Sequence, residues 1–196
     1  MSTSDDEVTL AEAFARVPRQ RFLPEHQQGW VGSNIPLEIG CGQTNSQPST
    51  VADMLSLLGV EPGHLVLDLG SGSGWTTALL GVLVGGRGRV IGVERHRELL
   101  DSAIIACDGL GIESIEFAEA VAGTLGLPER APFDRILVSA EAVELPSSLV
   151  EQLRVGGVMV IPVSGEMLRV ERTGEAAEDV SITRHGRYRF VPLIEE

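Results

Sequence analysis

The chain has 196 residues and a formal net charge of −13 at pH 7. All 15 of its basic side chains are arginines, so the lysine-dependent chemistry of P-loop proteins, kinases and Schiff-base enzymes is excluded. The acidic balance argues against a nucleic-acid partner, because binding a phosphate backbone requires a basic surface.

The length favours a single domain. The two cysteines, Cys41 and Cys107, and the scattered histidines have a spacing that predicts neither a disulfide nor a metal site. Residues 1–8 are polar and acidic, unlike the cationic start of a signal peptide, and the longest apolar stretch, 75–84, is too short to span a bilayer. These features predict a cytoplasmic protein with no membrane partner.

The first predicted elements are two helices separated by a long irregular segment. A capping-box pattern that begins at Thr9 predicts a helix through residue 16. Residues 20–47 are repeatedly interrupted by glycine and proline, and so long a loop in a compact domain is usually functional or disordered. A second helix is predicted over 50–58 and ends at Gly59.

From residue 65 onward, apolar runs typical of buried strands alternate with helical patterns. The predicted strands are 65–69, 89–93, 114–118, 135–138 and 158–163, and the predicted helices are 75–84, 97–107 and 146–153. This alternation predicts an α/β fold with a doubly wound, mostly parallel sheet. The pattern of 167–172 and 180–193 predicts an antiparallel C-terminal hairpin at one edge of that sheet.

The most specific motif is a glycine-rich loop between the first of these strands and the helix after it. In the run VLDLGSGSG (66–74), Gly70, Gly72 and Gly74 let the backbone turn sharply and approach a ligand closely. The spacing differs from the GxGxxG motif of dinucleotide-binding proteins, which disfavours a pyrophosphate ligand.

A carboxylate stands at the end of the next predicted strand. Glu94 can accept hydrogen bonds there from both ribose hydroxyls of a bound nucleoside. A nucleoside without a pyrophosphate is what S-adenosyl-L-methionine (SAM) offers, so the loop and Glu94 together predict a SAM site. The alternative is a glycine-rich turn and a capping glutamate in an unrelated α/β domain.

The segment GQTNSQP at residues 42–48 resembles the GQTISQP signature of the protein-L-isoaspartate O-methyltransferase family. The resemblance extends over residues 17–193, through VPRQRF (17–22), the glycine loop, APFD (131–134), QLRVGG (152–157), IPV (161–163) and RFVPL (189–193). It implies the Rossmann-like sheet of a class I SAM-dependent methyltransferase. Within one domain, residues 1–48 would form an N-terminal helix and substrate-side loop, and residues 49–196 the SAM-binding core.

The resemblance also implies an activity. A methyl group would pass from SAM to the free α-carboxylate of L-isoaspartyl residues in damaged proteins or peptides, leaving S-adenosyl-L-homocysteine (SAH). The ester then closes spontaneously to a succinimide, whose hydrolysis restores some normal aspartate. Because a carboxylate with a pKa of about 4 is already ionised at pH 7, no general base is required.

Matching positions imply the site residues, and none of them implies a metal. Ser46 and Thr44 correspond to the family's active-site hydroxyls; the alternative is that they only cap the helix predicted from residue 50. The implied cofactor-binding residues are Asp68, Gly70, Ser71, Gly72, Gly74, Glu94 and Ala122. The implied substrate-side residues are Gln43, Asn45, Gln47, Ser139 and Glu141.

Several positions depart from the family's pattern. Ala122 stands where the family has an aspartate that holds the adenine amino group, and Glu116 and Glu119 are the candidates to replace it. The other departures cluster on the implied substrate side, at Gly32, Asn34, Glu38, Asn45 and Glu141. They leave two alternatives open: a carboxyl methyltransferase for another acceptor, such as normal aspartate in a dedicated peptide, and a degenerate, non-catalytic SAM-fold binding protein.

Three further expectations concern charge and assembly. The side chain of Glu141 is expected to point to solvent. Arg16, Arg19 and Arg21 are expected to be solvated partners of nearby acids rather than a binding surface for an anionic peptide. The sequence does not set the oligomeric state, and a monomer is favoured.

Overall fold

The computed structural model describes residues 8–194 of the chain. Residues 1–7, which hold most of the acidic N-terminal segment, and residues 195–196 lie outside the described residues. Within the described part of the chain, no helix is long and apolar enough to cross a membrane.

Helices and strands alternate along most of the described chain. The α-helices are α1 (Leu10–Arg16), α2 (Pro48–Leu58), α3 (Trp75–Val84), α4 (Arg97–Cys107) and α5 (Ser147–Glu151). The strands are β1 (Leu37–Gly40), β2 (Gln43–Asn45), β3 (Leu65–Leu69), β4 (Arg89–Glu94), β5 (Ile115–Glu119), β6 (Phe133–Val138), β7 (Leu153–Val163), β8 (Glu166–Arg172) and β9 (Val180–Arg187). Short 3₁₀ turns span Arg19–Phe22, Glu25–Trp30 and Pro128–Arg130.

One seven-stranded sheet has the order β5-β4-β3-β6-β7-β8-β9. Strands β3 to β7 pair in parallel, and β8 and β9 add an antiparallel hairpin at one edge. The predicted doubly wound, mostly parallel α/β sheet with its C-terminal hairpin is therefore confirmed. The chain leaves β3 in one direction along the sheet and returns at β6 to continue in the other. Such a switch point opens a crevice at the carboxyl ends of the strands.

Alternate side chains of the central strands pack on opposite faces of the sheet. Val66 and Val90 belong to a buried apolar cluster that includes residues of α1, α2 and α3. Leu67 and Ile91, their neighbours in sequence, belong to a second cluster that includes residues of α5. Because both faces of these strands are covered, the strands are apolar along their length, as their sequence runs indicated.

Residues 146–163 differ from the predicted helix and strand. The helix α5 ends at Glu151, and β7 begins at Leu153 rather than at residue 158. The register between β6 and β7 is irregular, since Phe133 pairs with Leu153 but Arg135 pairs with Val158. Gly156 lies in the irregular part with φ +80°. The Gly156-Gly157 pair therefore lies in a distortion inside the strand instead of closing a helix.

The irregular segment predicted over 20–47 contains short ordered elements. Two 3₁₀ turns precede the β1–β2 hairpin, in which Glu38 pairs with Thr44. The hairpin turn has positive φ angles at Gly40 (102°), Cys41 (52°) and Gly42 (70°). Glycine adopts this conformation without strain, which explains why two glycines flank Cys41.

The last strand also differs from its predicted bounds. β9 ends at Arg187 rather than at residue 193, and residues 188–194, named here the C-terminal strap, cross to the chain that follows β6. The backbone of Glu141 donates to the Val191 carbonyl and accepts from the Leu193 N–H, both at 2.7 Å. These bonds hold residues 191–193 beside Glu141, and Pro192 between them has no N–H to donate.

Candidate active site

A cavity of about 290 Å³ opens at the carboxyl ends of β3, β4 and β6. Its lining comes mainly from residues 43–46, 69–73, 93–96, 120–126, 139–140 and 191–194. The predicted site residues in this lining are Gln43, Thr44, Asn45, Ser46, Gly70, Ser71, Gly72, Glu94, Ala122 and Ser139. Those outside it are Gln47, Asp68, Gly74 and Glu141. The structure thus brings most of the predicted residues together, and their roles stay predictions.

The glycine loop forms one wall of the cavity. The N–H groups of Gly70 and Ser71 both donate to the Val93 carbonyl, at 2.9 and 3.0 Å, which fixes the loop against β4. Gly72 has φ +54°, and a Cβ there would lie 3.1 Å from Ile39 Cδ1. The buried Ser71 hydroxyl has no hydrogen-bond partner within residues 8–194. A polar ligand in the cavity would satisfy it.

Gly74 packs helices together instead of lining the cavity. It precedes α3 with φ +88°, and a Cβ there would lie 2.9 Å from Ala103 Cβ in α4. The absent side chain makes room for α4, and the expected cofactor contact of this residue stays a prediction.

Glu94 ends β4 with a buried side chain that lines the cavity. Its two carboxylate oxygens accept hydrogen bonds from the N–H groups of Gly72 and His96, each at 2.9 Å. These bonds fix the carboxylate between the glycine loop and the start of α4. Each oxygen retains lone-pair capacity for a ligand hydroxyl.

Asp68 lies behind the glycine loop and is fully buried. One carboxylate oxygen accepts from the hydroxyls of Thr76 and Thr77, at 2.8 and 2.6 Å, and the other has no partner within the described residues. Burial raises the pKa of Asp68 from 3.8 to about 6, and the threonine hydroxyls oppose that increase. Asp68 therefore holds the first turn of α3. It lies outside the cavity lining, although the sequence predicted that it binds the cofactor.

Thr44 and Ser46, whose side chains carry hydroxyls, belong to another wall of the cavity. Helix α2 begins at Pro48 after Gln47, whose side chain makes no capping hydrogen bond, and the Ser49 N–H in its first turn donates to Asn34 Oδ1 at 3.0 Å. The alternative that Ser46 and Thr44 serve as caps is therefore wrong. The amide of Gln47 donates to the Ser49 hydroxyl at 3.1 Å, beside the helix start and outside the lining.

Arg19 is a buried cation beside the cavity that the sequence prediction missed. It is only 6% exposed, although a solvated side chain was expected. Its guanidinium lies over the Trp75 ring, 5.4 Å from the centroid. It also donates hydrogen bonds to Asn45 Oδ1 and to the carbonyls of Ser33, Ile35, Asn45 and Ser46. A positive charge thus lies directly behind Ser46, and the one sequence signal for it is the 17–22 motif.

Among the described residues, Arg21 has no acidic hydrogen-bond partner as was expected of it, and it donates instead to the backbone carbonyls of Ala106 and Asp108. Burial lowers the pKa of Arg19 from its usual value. An arginine nevertheless remains charged at neutral pH because its pKa is so high.

Within residues 8–194, Glu94 supplies the only carboxylate side chain of the lining. The half-buried Glu141 accepts from the Phe190 N–H of the strap at 3.5 Å, so it does not point freely to solvent as expected. Glu116 pairs with Arg130 at 2.7 Å and Glu119 with Arg97 at 3.3 Å. Neither lines the cavity, so neither replaces the aspartate expected at position 122.

The lining fits a nucleoside with a sulfonium tail, such as SAM. The glycine loop leaves room for close backbone approach, the Ser71 hydroxyl lacks a partner within residues 8–194, and Glu94 has acceptor capacity for a ribose. In the same part of the chain, no group of His, Cys, Asp and Glu side chains is arranged to hold a metal. The fold and the site are those of a Rossmann-like α/β protein with a cavity suited to a nucleoside.

Comparison with known proteins narrows this class. The protein-L-isoaspartate(D-aspartate) O-methyltransferase family matches residues 3–196, and the chain belongs to this family. The protein-L-isoaspartate O-methyltransferase of Methanopyrus kandleri is 46% identical over 189 residues, which cover 95% of this chain and 84% of that protein. The protein of the same name from Aeropyrum pernix is 44% identical, covering 95% and 73%.

Two solved structures share the fold over almost the whole chain. One is a protein-L-isoaspartate O-methyltransferase with a TM-score of 0.83 and 28% identity; the match covers 94% of this chain but only 60% of that longer chain. The other is a candidate protein-L-isoaspartate O-methyltransferase from Plasmodium falciparum in complex with SAH. Its TM-score is 0.82 at 24% identity, and the match covers 99% of this chain and 93% of that one.

Proposed function

We propose that the protein transfers a methyl group from SAM to the free α-carboxylate of L-isoaspartyl residues in damaged proteins or peptides, and so begins their repair. The observation that carries this proposal is one cavity that joins two half-sites. Gly70, Gly72 and Glu94 lie on one side, and the Thr44 and Ser46 hydroxyls, backed by the Arg19 guanidinium, lie on the other.

The cofactor half-site uses backbone groups and one carboxylate. Glu94, held by the Gly72 and His96 N–H groups, would accept hydrogen bonds from the ribose hydroxyls. The Ser71 hydroxyl and the glycine loop would contact the ligand at close range. When bound, SAM supplies an activated methyl on its sulfonium, so this chain needs only to hold the donor in place.

The acceptor half-site suits an anion. The hydroxyls of Thr44 and Ser46 can donate hydrogen bonds to carboxylate oxygens. The Arg19 guanidinium donates to the Ser46 carbonyl at 3.0 Å, so its charge lies within a few bond lengths of any carboxylate bound there. Since this carboxylate is ionised at pH 7, catalysis reduces to orientation and exclusion of water. Orientation can supply roughly 7–11 kcal/mol.

The net charge bears on the class of partner, and the thiols bear on the cellular compartment. A net charge of −13 disfavours a nucleic-acid partner. Both cysteines, Cys41 and Cys107, are free, which is typical of a reducing compartment such as the cytoplasm. We propose a cytoplasmic monomer.

The test is methyl transfer to a matched pair of peptides. The protein is incubated with methyl-labelled SAM and an isoaspartyl peptide, beside the same peptide with a normal aspartate. We expect a base-labile methyl ester on the isoaspartyl peptide and a rate at least tenfold lower with Ser46→Ala. No ester on the isoaspartyl peptide would contradict the proposal. Methylation of the normal peptide would instead indicate another acceptor, and failure of SAH to bind in calorimetry would indicate a non-catalytic domain.

A further inference from the structure

A network of hydrogen bonds between three buried side chains, Arg19, Asn45 and Ser73, connects the two half-sites. Asn45 accepts a hydrogen bond from Arg19 Nε through its Oδ1, at 2.8 Å, and donates through its Nδ2 to the Ser73 hydroxyl oxygen, at 3.3 Å. All three side chains are buried. Ser73 belongs to the glycine loop, and Asn45 immediately precedes Ser46. The network therefore links the cofactor half-site to the acceptor half-site.

The orientation of the Asn45 amide follows from its neighbours. The Arg19 guanidinium can only donate, so the amide must present its oxygen to Arg19 and its nitrogen to Ser73. Arg19 is itself fixed, because its other N–H groups donate to carbonyls that precede β1 and to carbonyls at the end of β2, and its Cζ lies over the Trp75 ring. The network of Arg19, Asn45 and Ser73 therefore has one hydrogen-bonding arrangement, and the side chains have little freedom to shift relative to one another.

We propose that Asn45 is a positioning residue, which sets the place of the Ser46 hydroxyl relative to the glycine loop through hydrogen bonds to Arg19 and Ser73. This inference rests on the proposed function, in which Ser46 holds the acceptor carboxylate. In-line transfer depends on the distance between the two half-sites, and a misplacement of about 1 Å can lower a rate by about 100-fold. Asn45 itself is not required to touch either substrate.

The kinetic test uses the full chain and the variants Asn45→Leu, Ser73→Ala and the two combined. Loss of one neutral hydrogen bond corresponds to about a two- to tenfold effect, so we expect kcat to fall by that factor in Ser73→Ala and by about tenfold or more in Asn45→Leu. The KM values for SAM and for the isoaspartyl peptide should stay within about twofold. The combined variant should be no slower than Asn45→Leu, because Asn45→Leu already removes the hydrogen bond between Asn45 and Ser73 that Ser73→Ala removes.

The matched control is Ser114→Ala. Ser114 is also a buried serine with one hydrogen bond, to the Gly81 carbonyl at 2.8 Å, but it lies outside the cavity lining. We expect a similar decrease in melting temperature to that of Ser73→Ala and an unchanged kcat. Multiplicative effects of the two single variants, or an equal loss of kcat in Ser114→Ala, would overturn the inference.

A second measurement separates this inference from the proposed function. SAH should slow amide hydrogen exchange at residues 43–47 in the wild type, because ordering of the glycine loop is transmitted through Ser73. That slowing should disappear in Ser73→Ala and persist in Ser114→Ala. If the wild type methylates no isoaspartyl peptide but this pattern holds, the proposed function fails and the connection stands. If SAH slows exchange equally in all variants, the inference fails whatever the activity.

Discussion

Asp68 and Glu94 lie near the carboxyl ends of the adjacent strands β3 and β4, and both side chains are buried. Backbone N–H groups donate to both oxygens of Glu94, whereas one oxygen of Asp68 has no partner within the described residues. The two carboxylates therefore serve different purposes: Glu94 can present charge to a ligand, and Asp68 carries a desolvation penalty when it ionises.

Asp68 makes stability depend on pH. A carboxyl whose pKa is raised from 3.8 to about 6 by folding binds more protons in the folded state, so its contribution to stability is greatest at low pH and is lost as pH rises through about 6. A shift of this size corresponds to about 3 kcal/mol in total. The unfolding free energy of the wild type, relative to Asp68→Asn, should therefore fall by about 2 kcal/mol between about pH 4.5 and pH 7.5.

Urea denaturation across that range measures the difference. Thr77→Val removes a hydroxyl that donates to Asp68 at 2.6 Å and should move the loss to higher pH. Parallel stability curves for the wild type and Asp68→Asn would show that Asp68 does not titrate in this way.

Glu94→Gln should weaken SAH binding by about tenfold or more, since the ligand loses hydrogen bonds to a charged acceptor. The amide cannot restore the site, because both Glu94 oxygens face backbone N–H groups and the new NH₂ must oppose one of them. Glu119→Gln is the matched control: Glu119 ends β5 in register with Glu94 but is half exposed and pairs with Arg97. Calorimetry should give an SAH Kd within about twofold of wild type for this control. Equal Kd values for both variants would contradict the ribose role.

The sequence predicted the positions of site residues where these residues belong to a local motif. The glycine loop and Glu94 follow from spacing alone, since a strand, a turn and the next strand end place them together. Arg19 could not be found in this way. Four of its five hydrogen bonds go to backbone carbonyls as far away as residue 46, and carbonyl groups leave no signal in a sequence.

At the scale of elements, the parallel strands were predictable because their buried residues form short, mainly apolar runs between helical patterns. The β1–β2 hairpin and the strap were not, since these short segments show no regular hydrophobic period and are held by backbone contacts with other segments. Leu37 and Asn45 pair across a turn of positive φ angles, and the strap depends on the backbone of Glu141. Periodicity does not report such contacts.

The contact of α3 with α4 depends on Gly74. Gly74→Ala would place a Cβ 2.9 Å from Ala103 Cβ and force an alanine to φ +88°. Gly63→Ala is a matched control, because Gly63 has φ +91° but open space around its Cβ position. Left-handed backbone alone costs about 1–2 kcal/mol, and overpacking adds about 1–3 kcal/mol. Chemical denaturation should therefore show the greater loss for Gly74→Ala; equal losses would show that α4 gives way freely.

At the scale of the molecule, few of the many acidic side chains lie at the cavity. The net charge is −13, yet Glu94 is the only carboxylate side chain that lines the cavity within residues 8–194. Glu38 and Glu141 lie outside the lining, Arg95 belongs to it, and the Arg19 guanidinium lies behind Ser46. The local environment therefore suits an anion, while the field at longer range repels one.

This difference in range predicts an effect of salt on acceptor binding. Two unit charges about 10 Å apart in water interact by about 0.4 kcal/mol, so a few unscreened pairs change affinity by about 1 kcal/mol, or about fivefold. Salt screens distant charges first, since the Debye length falls from about 30 Å at 0.01 M to about 8 Å at 0.15 M. With SAM saturating, the KM for an isoaspartyl peptide with flanking acids should therefore fall by about fivefold over that range. The KM for a peptide with flanking arginines should rise, and that for an uncharged flank should stay constant. A KM that rises with salt for all three peptides would show instead that the local charge of Arg19 and Arg95 dominates capture.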